Sequence, residues 1–377
     1  MNIAFVGCGF VSGYYYDTLK LHPELKLLGA TDINTGRAAS FANRSSTQHY
    51  KTLDEILSDD RVDIVVNLTN PASHYEVSKA CLEAGKHVYS EKPLAMEFSQ
   101  AQELVDLAKR RDLYISAAPC SLLNEAAQTA WKALRANKVG QVRVVYAEMD
   151  DGMVHRRPYK RWKSPAGIPW PYKDEFEVGC TIEHAGYIVT WLTAFFGPAE
   201  TVTAFSSCLI PDKETDVPLE MQSPDFSVAC IRFKSGVVAR LTCSILAPSD
   251  HSIKFIGDDG ILYVEHCWRD RSPVYIRRDI TIRSKTILNP WKERCQLVGK
   301  SNPKVPKQGE QNRNFCRGIA ELAIAIKEQR DSRLSDDYCL HVCEIVLAIH
   351  NALEKNCTYE LSTGFEPIEP MPYAIEK

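Results

Sequence analysis

The sequence predicts an α/β chain: an N-terminal doubly wound parallel sheet, then an α+β domain with a mostly antiparallel sheet. Three observations lead there. The run "NIAFVG" (2–7) is apolar, ends in a glycine-rich turn and leads into helical sequence. Short apolar runs then alternate with amphipathic stretches as far as residue 120. From residue 142 that alternation stops, and strand-like segments follow one another at intervals set by turns.

The first run suits a central strand buried on both faces. "GCGFVSG" and the helical "YYYDTLKLH" follow, with Gly7, Gly9 and Gly13 spaced G-x-G-x-x-x-G. Gly7 allows a tight turn, and Gly9 lets backbone N–H groups approach a pyrophosphate. With Phe10 and Val11 they lead into a helix N-terminus whose dipole favours an anion. A second strand, "LKLLGATD", ends at Asp32. An acid there either bonds the ribose hydroxyls of NAD, repelling a 2′-phosphate, or caps the helix of "INTGRAASFANR". The whole pattern favours the nucleotide role. Arg37 softens the preference, so NAD is expected and NADP is admitted.

Helix "LDEILSD", strand "VDIVVNLT", helix "SHYEVSKACLEAG", strand "HVYSEKP", helix "SQAQELVDLAKRRD" and strand "LYISAAP" complete the alternation. Ligands of such sheets sit at the carboxyl ends of the strands. Thr69, Asn70, Pro71 and His74 of "TNPASH", and Glu91 and Lys92 of "SEKP", are therefore expected beside the cofactor. Pro93 favours an extended Lys92. A lysine on such a strand end is a proton donor or an anchor for a substrate hydroxyl. In isolation it would read as a solvated turn.

Composition narrows the field. A hydrophobic content of 45% with 25% charged residues is the balance of a globular protein, and 377 residues suit two domains. A net charge of -3 gives no basic field for nucleic acid. No apolar run reaches the roughly 18–20 residues of a bilayer span, and "MNIAFVGCGF" has no leader pattern, so a cytoplasmic location is expected. Cys81, Cys180, Cys230, Cys243, Cys339 and Cys343 lie in apolar segments without C-x-x-C spacing, so they read as small hydrophobes and no metal site is expected.

"GCGF", "TD" at Asp32, "NPASH" (70–74) and above all "GKHVYSEKPLA" (85–95) resemble the Gfo/Idh/MocA oxidoreductases, the glucose–fructose oxidoreductase and inositol dehydrogenase group. "FIGDDGILYV" (255–264) is similar to the family's sheet hairpin, and "LSDDYCLHVCEIVLAIHNALE" (334–354) to its C-terminal helix. The resemblance implies an N-terminal Rossmann domain and a C-terminal α+β domain with a large open sheet. It also implies NAD(P)-dependent oxidation or reduction of a sugar, cyclitol or related compound, with the nicotinamide between the domains. Residues 1–120 would be the dinucleotide-binding domain and 121–377 the substrate and oligomerisation domain. Helix 338–355 would pack back on the first, and a homodimer or homotetramer would form through the sheet.

In the second half, "VRVVYAEMD" (142–150) alternates as a half-wet strand should. "TVTAFSSCLI", "FSVACIRFKSG", "VVARLTCSIL", "SIKFIGDDG", "ILYVEH" and "PVYIRRDITIRS" follow. The segment 151–179 is long, rich in proline and aromatic, which points to an ordered functional loop. Its Arg156, Arg157, Lys160 and Arg161 face a substrate phosphate or carboxylate, or solvent. Trp162 and Trp170 either stack on a sugar ring or pack in a core or subunit contact.

"EVGCTIEHAGYIVTWLTAFFG" (177–197) is an apolar helix that carries Glu183, His184 and Tyr187. The resemblance implies a motif with an acid and a catalytic histidine here. Aligned on Gly179 and Gly197, Glu183 takes the acid position, Tyr187 the histidine position and Thr190 that of a second acid. His184 points about 100° away from Glu183 and cannot replace the missing histidine. Glu183, Tyr187 and Thr190 share a stripe at i, i+4 and i+7. Two assignments follow. In the preferred one Tyr187, with Lys92 nearby, relays the proton while hydride passes between substrate carbon and nicotinamide. In the other, Tyr187 only binds substrate, and Lys92 with Glu183 or His184 moves the proton. An NAD-dependent glycosidase working by transient oxidation and a non-catalytic sugar sensor are the alternative functions.

Overall fold

The computed structural model describes residues 1–164, 166–299, 313–353 and 357–375. The first sheet contains β1 (Asn2–Val6), β2 (Lys26–Thr31), β3 (Gln48–His49), β4 (Ile64–Asn67), β5 (His87–Ser90) and β6 (Ile115–Ala117), ordered β3-β2-β1-β4-β5-β6 and parallel throughout. Every residue of β4 is buried, as an apolar run covered on both faces requires. The crossovers carry α1 (Ser12–Leu19), α2 (Thr35–Ser45), α3 (Leu53–Leu57), α4 (His74–Glu83) and α5 (Phe98–Arg110). The strand order reverses between β1 and β4, and the crevice beyond their carboxyl ends is where such sheets hold ligands.

α6 (Glu125–Arg135), capped by the Asn124 side chain on Ala127 N, leads into the second sheet. Its strands are β7 (Val142–Asp150), β8 (Ala199–Ser207), β9 (Phe226–Phe233), β10 (Val238–Ser244), β11 (Ile253–Gly257), β12 (Gly260–Val264), β13 (Val274–Ile282), β14 (Lys285–Leu288), β15 (Glu293–Arg294) and β16 (Thr358–Glu360). They run β14-β13-β12-β11-β7-β10-β9-β8-β16, with β15 on β13. Only the β7–β10 pairing is parallel among the described pairings, so the sheet is mostly antiparallel.

Two helices follow on the 151–197 stretch, α7 (Tyr172–Val178) and α8 (Gly186–Phe196). Phe195 and Phe196 of α8 pack on Phe255, and Phe196 also on Phe233, closing the second core. The chain then returns to the first sheet. α9 (Arg317–Glu328) packs on β5 and β6, and α10 (Asp336–His350) wedges between α5 and β6 on one side and α8 and β8 on the other. The helix expected over 338–355 thus begins two residues earlier and ends at His350; residues 354–356 lie outside the described residues. Five of the six cysteines singled out are buried, but Cys230 faces solvent, because β9 alternates and places it on the wet face. No helix among the described residues is long and apolar enough to cross a membrane.

Candidate active site

The cofactor cradle forms where β1 and β4 end. Gly7 has φ +100, and a Cβ there would lie 2.5 Å from Leu68 O, so close strand packing demands the glycine. A Cβ on Gly9 would meet nothing within 4 Å, which leaves open space over the start of α1. No side chain caps α1, so its first N–H groups remain available to an anion. Phe10 and Val11 are half-buried beside this opening.

Asp32 accepts from Cys8 N and Asn34 N, each at 2.7 Å, one on each carboxylate oxygen. The cap of α2 is Asn34, whose side chain accepts from Arg37 N, so Asp32 is not needed as a cap. Each Asp32 oxygen keeps a lone pair for a ribose hydroxyl. Arg37 is exposed at the start of α2, and Ile33 beside it is fully exposed, an apolar contact ready for a base. These residues fit a dinucleotide.

Thr69 is half-buried and donates to Asn67 Oδ1, Asn70 is exposed and Pro71 is buried. His74 is fully buried, with Nδ1 2.6 Å from Pro93 O and Nε2 3.1 Å from Thr69 O. Burial pushes its imidazole towards the neutral form, against the pull of the carbonyls. The neutral ring donates one N–H to one of these two carbonyls, and its burial between them places His74 between the 69–74 loop and the 91–93 turn. Glu91 is buried too: Oε1 accepts from Tyr15 Oη at 2.7 Å and Oε2 from Lys92 N at 3.1 Å.

Lys92 Nζ is ion-paired with Glu183 Oε2. Burial works against the lysine's charge, but Glu183, Tyr187 and Glu91 hold its ammonium above the ordinary lysine range. Burial likewise opposes the Glu183 carboxylate, and Lys92 more than offsets it, keeping Glu183 below its usual range.

The expected polar stripe is split. Residues Thr181–Ala185 form a widened turn with i→i+5 spacing before α8 begins, which shifts the register of Glu183 against Tyr187. Glu183 turns to Lys92. Tyr187 meets Trp268 edge-on at 5.3 Å and lies beneath the Arg313 guanidinium at 5.1 Å, and its hydroxyl hydrogen-bonds with Arg313. Thr190 is buried and donates back to Gly186 O and Tyr187 O within its own helix, so it takes no part.

Tyr187, Arg313 and Asp270 line one small pocket with Tyr15 and Glu91. Arg313 belongs to a short segment fixed by its neighbours. Asn314 N donates to Asp270 Oδ2 at 2.9 Å, Phe315 stacks on Tyr14 at 5.4 Å, and Arg317 pairs with Glu125 and Asp270.

His184 does not join this group. It is 8% exposed, with Nε2 2.8 Å from Glu175 Oε1. Its Nδ1 lies 3.3 Å from Asp151 Oδ2, an ion pair outside hydrogen-bond geometry. Burial opposes its charge, but Glu175 and Asp151 lift its pKa to about 9. His184 is thus a buried cation held between two acids, away from the residues that line the Tyr187 pocket.

Trp162 and Trp170 pack on each other at 5.0 Å, and Trp170 meets Tyr159 at 6.4 Å, forming an aromatic cluster. Arg156, Arg157 and Arg161 are exposed, and Lys160 pairs with Asp216 at 3.3 Å on the surface. From the same loop Asp174 is close enough to feel Glu183 and Lys92; burial, then Glu183 and Glu177, push its pKa up to about 6. Asp174, Trp268, Asp270 and Arg313 were not singled out from the sequence. The dense "EHCWRDRS" (265–272) was the available signal for the middle two.

A glycine turn and Asp32 that fit a dinucleotide, in a parallel sheet of this strand order, are the marks of a nicotinamide-dependent oxidoreductase. Residues 1–118 match the oxidoreductase family with an NAD-binding Rossmann fold, and residues 127–263 match the GFO/IDH/MocA C-terminal domain. The chain belongs to the GFO/IDH/MocA family of NAD(P)-dependent oxidoreductases. It is similar to the trans-1,2-dihydrobenzene-1,2-diol dehydrogenase of Bos taurus, 23% identical over 269 residues, or 70% of this chain and 74% of that one. Its fold is similar to an aldose–aldose oxidoreductase from Caulobacter crescentus solved with glycerol (TM-score 0.75, 17% identity, 96% and 99% of the chains covered). It is also similar to a 3-ketoreductase from Actinomadura kijaniata solved with TDP-benzene and NADP (TM-score 0.71, 18% identity, 94% and 98% covered).

Proposed function

We propose that this enzyme oxidises or reduces a hydroxyl or carbonyl carbon of a sugar, sugar derivative or cyclitol, with Tyr187 exchanging the hydroxyl proton. The bound nicotinamide supplies the hydride chemistry. Residues 1–120 hold it, through Gly9, the α1 N-terminus and Asp32, with Arg37 and Ile33 at the adenosine end. Residues 121–377 supply the substrate side.

The observation that carries the assignment is the Lys92–Glu183 ion pair. Because the pair holds Lys92 above the ordinary lysine range, the ammonium keeps its proton and serves as a charged hydrogen-bond donor to the reacting oxygen. Proton exchange then falls to Tyr187, which lines the pocket beside Arg313. Among structures of the Actinomadura 3-ketoreductase are a lysine-to-alanine and a tyrosine-to-phenylalanine variant, the two residue types used in this reading. The sugar-like substrate class is supported by the aldose–aldose oxidoreductase and by the 3-ketoreductase's TDP ligand.

We further propose a homodimer or homotetramer through the outer face of the second sheet. There Tyr146 and Phe205 are exposed on β7 and β8, and Arg240 covers the Tyr146 ring at 4.8 Å. The test of function mixes the protein with NAD or NADP and D-glucose, D-xylose, D-glucuronate or myo-inositol, and follows absorbance near 340 nm. Net reduced cofactor supports the reading. Release of an aglycone from a glycoside without net reduced cofactor would replace it with a glycosidase, and silence in both assays with a sensor.

A further inference from the structure

Behind Tyr187 lies a buried chain of ionisable side chains that the proposed chemistry leaves unused. The main-chain N–H of Trp268 donates to His266 Nδ1 at 3.3 Å. Burial, with His251 and nearby arginines, pushes the His266 pKa down to about 3, so the ring is neutral and its proton sits on Nε2. His266 Nε2 then donates to His251 Nδ1 at 3.1 Å, which leaves the His251 proton on Nε2. That proton is donated to Asp151 Oδ1 at 2.9 Å. The other Asp151 oxygen faces His184, which reaches Glu175 on α7. From Trp268 N to Asp151 each hydrogen bond fixes the tautomer of the next ring, and the run of donors ends at the Asp151 carboxylate, which only accepts.

The Trp268 indole lies between this chain and the site. It stacks on the His251 ring at 4.2 Å and 24°, and leans on His184 at 5.4 Å. It meets Tyr187 edge-on at 5.3 Å and carries the Arg313 guanidinium 5.3 Å above its ring. A rotation of this indole would therefore move the ring and the cation that set the Tyr187 hydroxyl.

We propose that Asp151 and His251 are positioning residues: they clamp the Trp268 indole and so fix the direction of the Tyr187 hydroxyl in the cavity. The proposal rests on the reading of Tyr187 given above. Neither residue touches the cavity that holds Tyr187. Their effect passes through one stacked ring.

The test uses the full chain with Asp151→Asn, His251→Phe and Trp268→Phe, singly and combined. Subtracting the near-ultraviolet circular dichroism of the Trp268→Phe protein from wild type isolates the signal of that indole, and needs no substrate. Asp151→Asn is expected to cut the signal by more than half. His251→Phe keeps a ring for stacking but removes both hydrogen bonds, and serves where Asp151→Asn does not fold. With the fastest-reacting compound of the panel above, each clamp variant is expected to lower kcat about tenfold or more with KM within about twofold, because small misplacements cost rate steeply. Adding Trp268→Phe should cost little further, since all act through the indole. A folded clamp variant with an unchanged indole signal overturns the proposal, as does a kcat loss that multiplies with that of Trp268→Phe. If Tyr187→Phe keeps full turnover, the functional reading fails, while the indole signal still judges the clamp.

Discussion

Lys92 and Glu183 are 91 residues apart in sequence, yet their side chains form an ion pair that joins the end of β5 to the widened turn before α8. Both are mostly buried, at 16% and 15% side-chain exposure. Removing one partner leaves the other uncompensated. Lys92→Met or Glu183→Gln alone is expected to cost about 2–4 kcal/mol of stability, and the double variant Lys92→Met/Glu183→Leu much less. Turnover should be lost in all three. Denaturant melts beside the 340 nm assay separate the two effects: restored stability without restored activity is the expected pattern. A double variant as unstable as the singles would contradict the energetic coupling of the two charges.

Two glycines in one motif should respond in opposite ways. Gly7→Ala puts a Cβ 2.5 Å from Leu68 O at a positive φ, so the fold should lose stability. Gly9→Val points a side chain into empty space, so the melting temperature should hold while NADH affinity falls about tenfold or more. Differential scanning fluorimetry and NADH fluorescence titration read the two outcomes separately.

His184 gives the fold a pH signature. Its pKa is lifted from 6.5 to about 9 because Glu175 and Asp151 outweigh burial. A cationic group raised in the folded state stabilises fully below its unfolded value and loses that contribution as pH rises through the folded one. Stability is therefore expected to fall between pH 7 and 9.5, by on the order of 2–3 kcal/mol. Urea melts across that range check it. Glu175→Gln should flatten the decline, and a decline of equal size in that variant would assign it elsewhere.

The first sheet was legible because its strands are short apolar runs divided by amphipathic helices, and the glycine turn marks where its crevice opens. The strands β7 to β13 were legible for the same reason: alternation and turns are local. The site was legible only in part. Lys92 and Glu183 could be named from the strand end and the helix, but their pairing depends on the π turn, which no 3.6-residue count contains. Thr190 shares the α8 face with Tyr187, but its hydroxyl bonds back to its own helix, a local choice that spacing does not reveal. His74 could be named from its strand end, but the two carbonyls that enclose its ring come from separate loops. Arg313 and Trp268 were missed because they reach Tyr187 from segments 126 and 81 residues further along the chain, with no periodicity to announce them.

The most direct test of the central claim is the rate of cofactor reduction at 340 nm by Tyr187→Phe, with NADH affinity measured on the same protein. Loss of the phenol proton should lower kcat by about 10²–10⁴-fold while NADH binding changes little, the range expected for a positioned acid–base group. Full turnover in Tyr187→Phe would contradict the account and return proton transfer to Lys92.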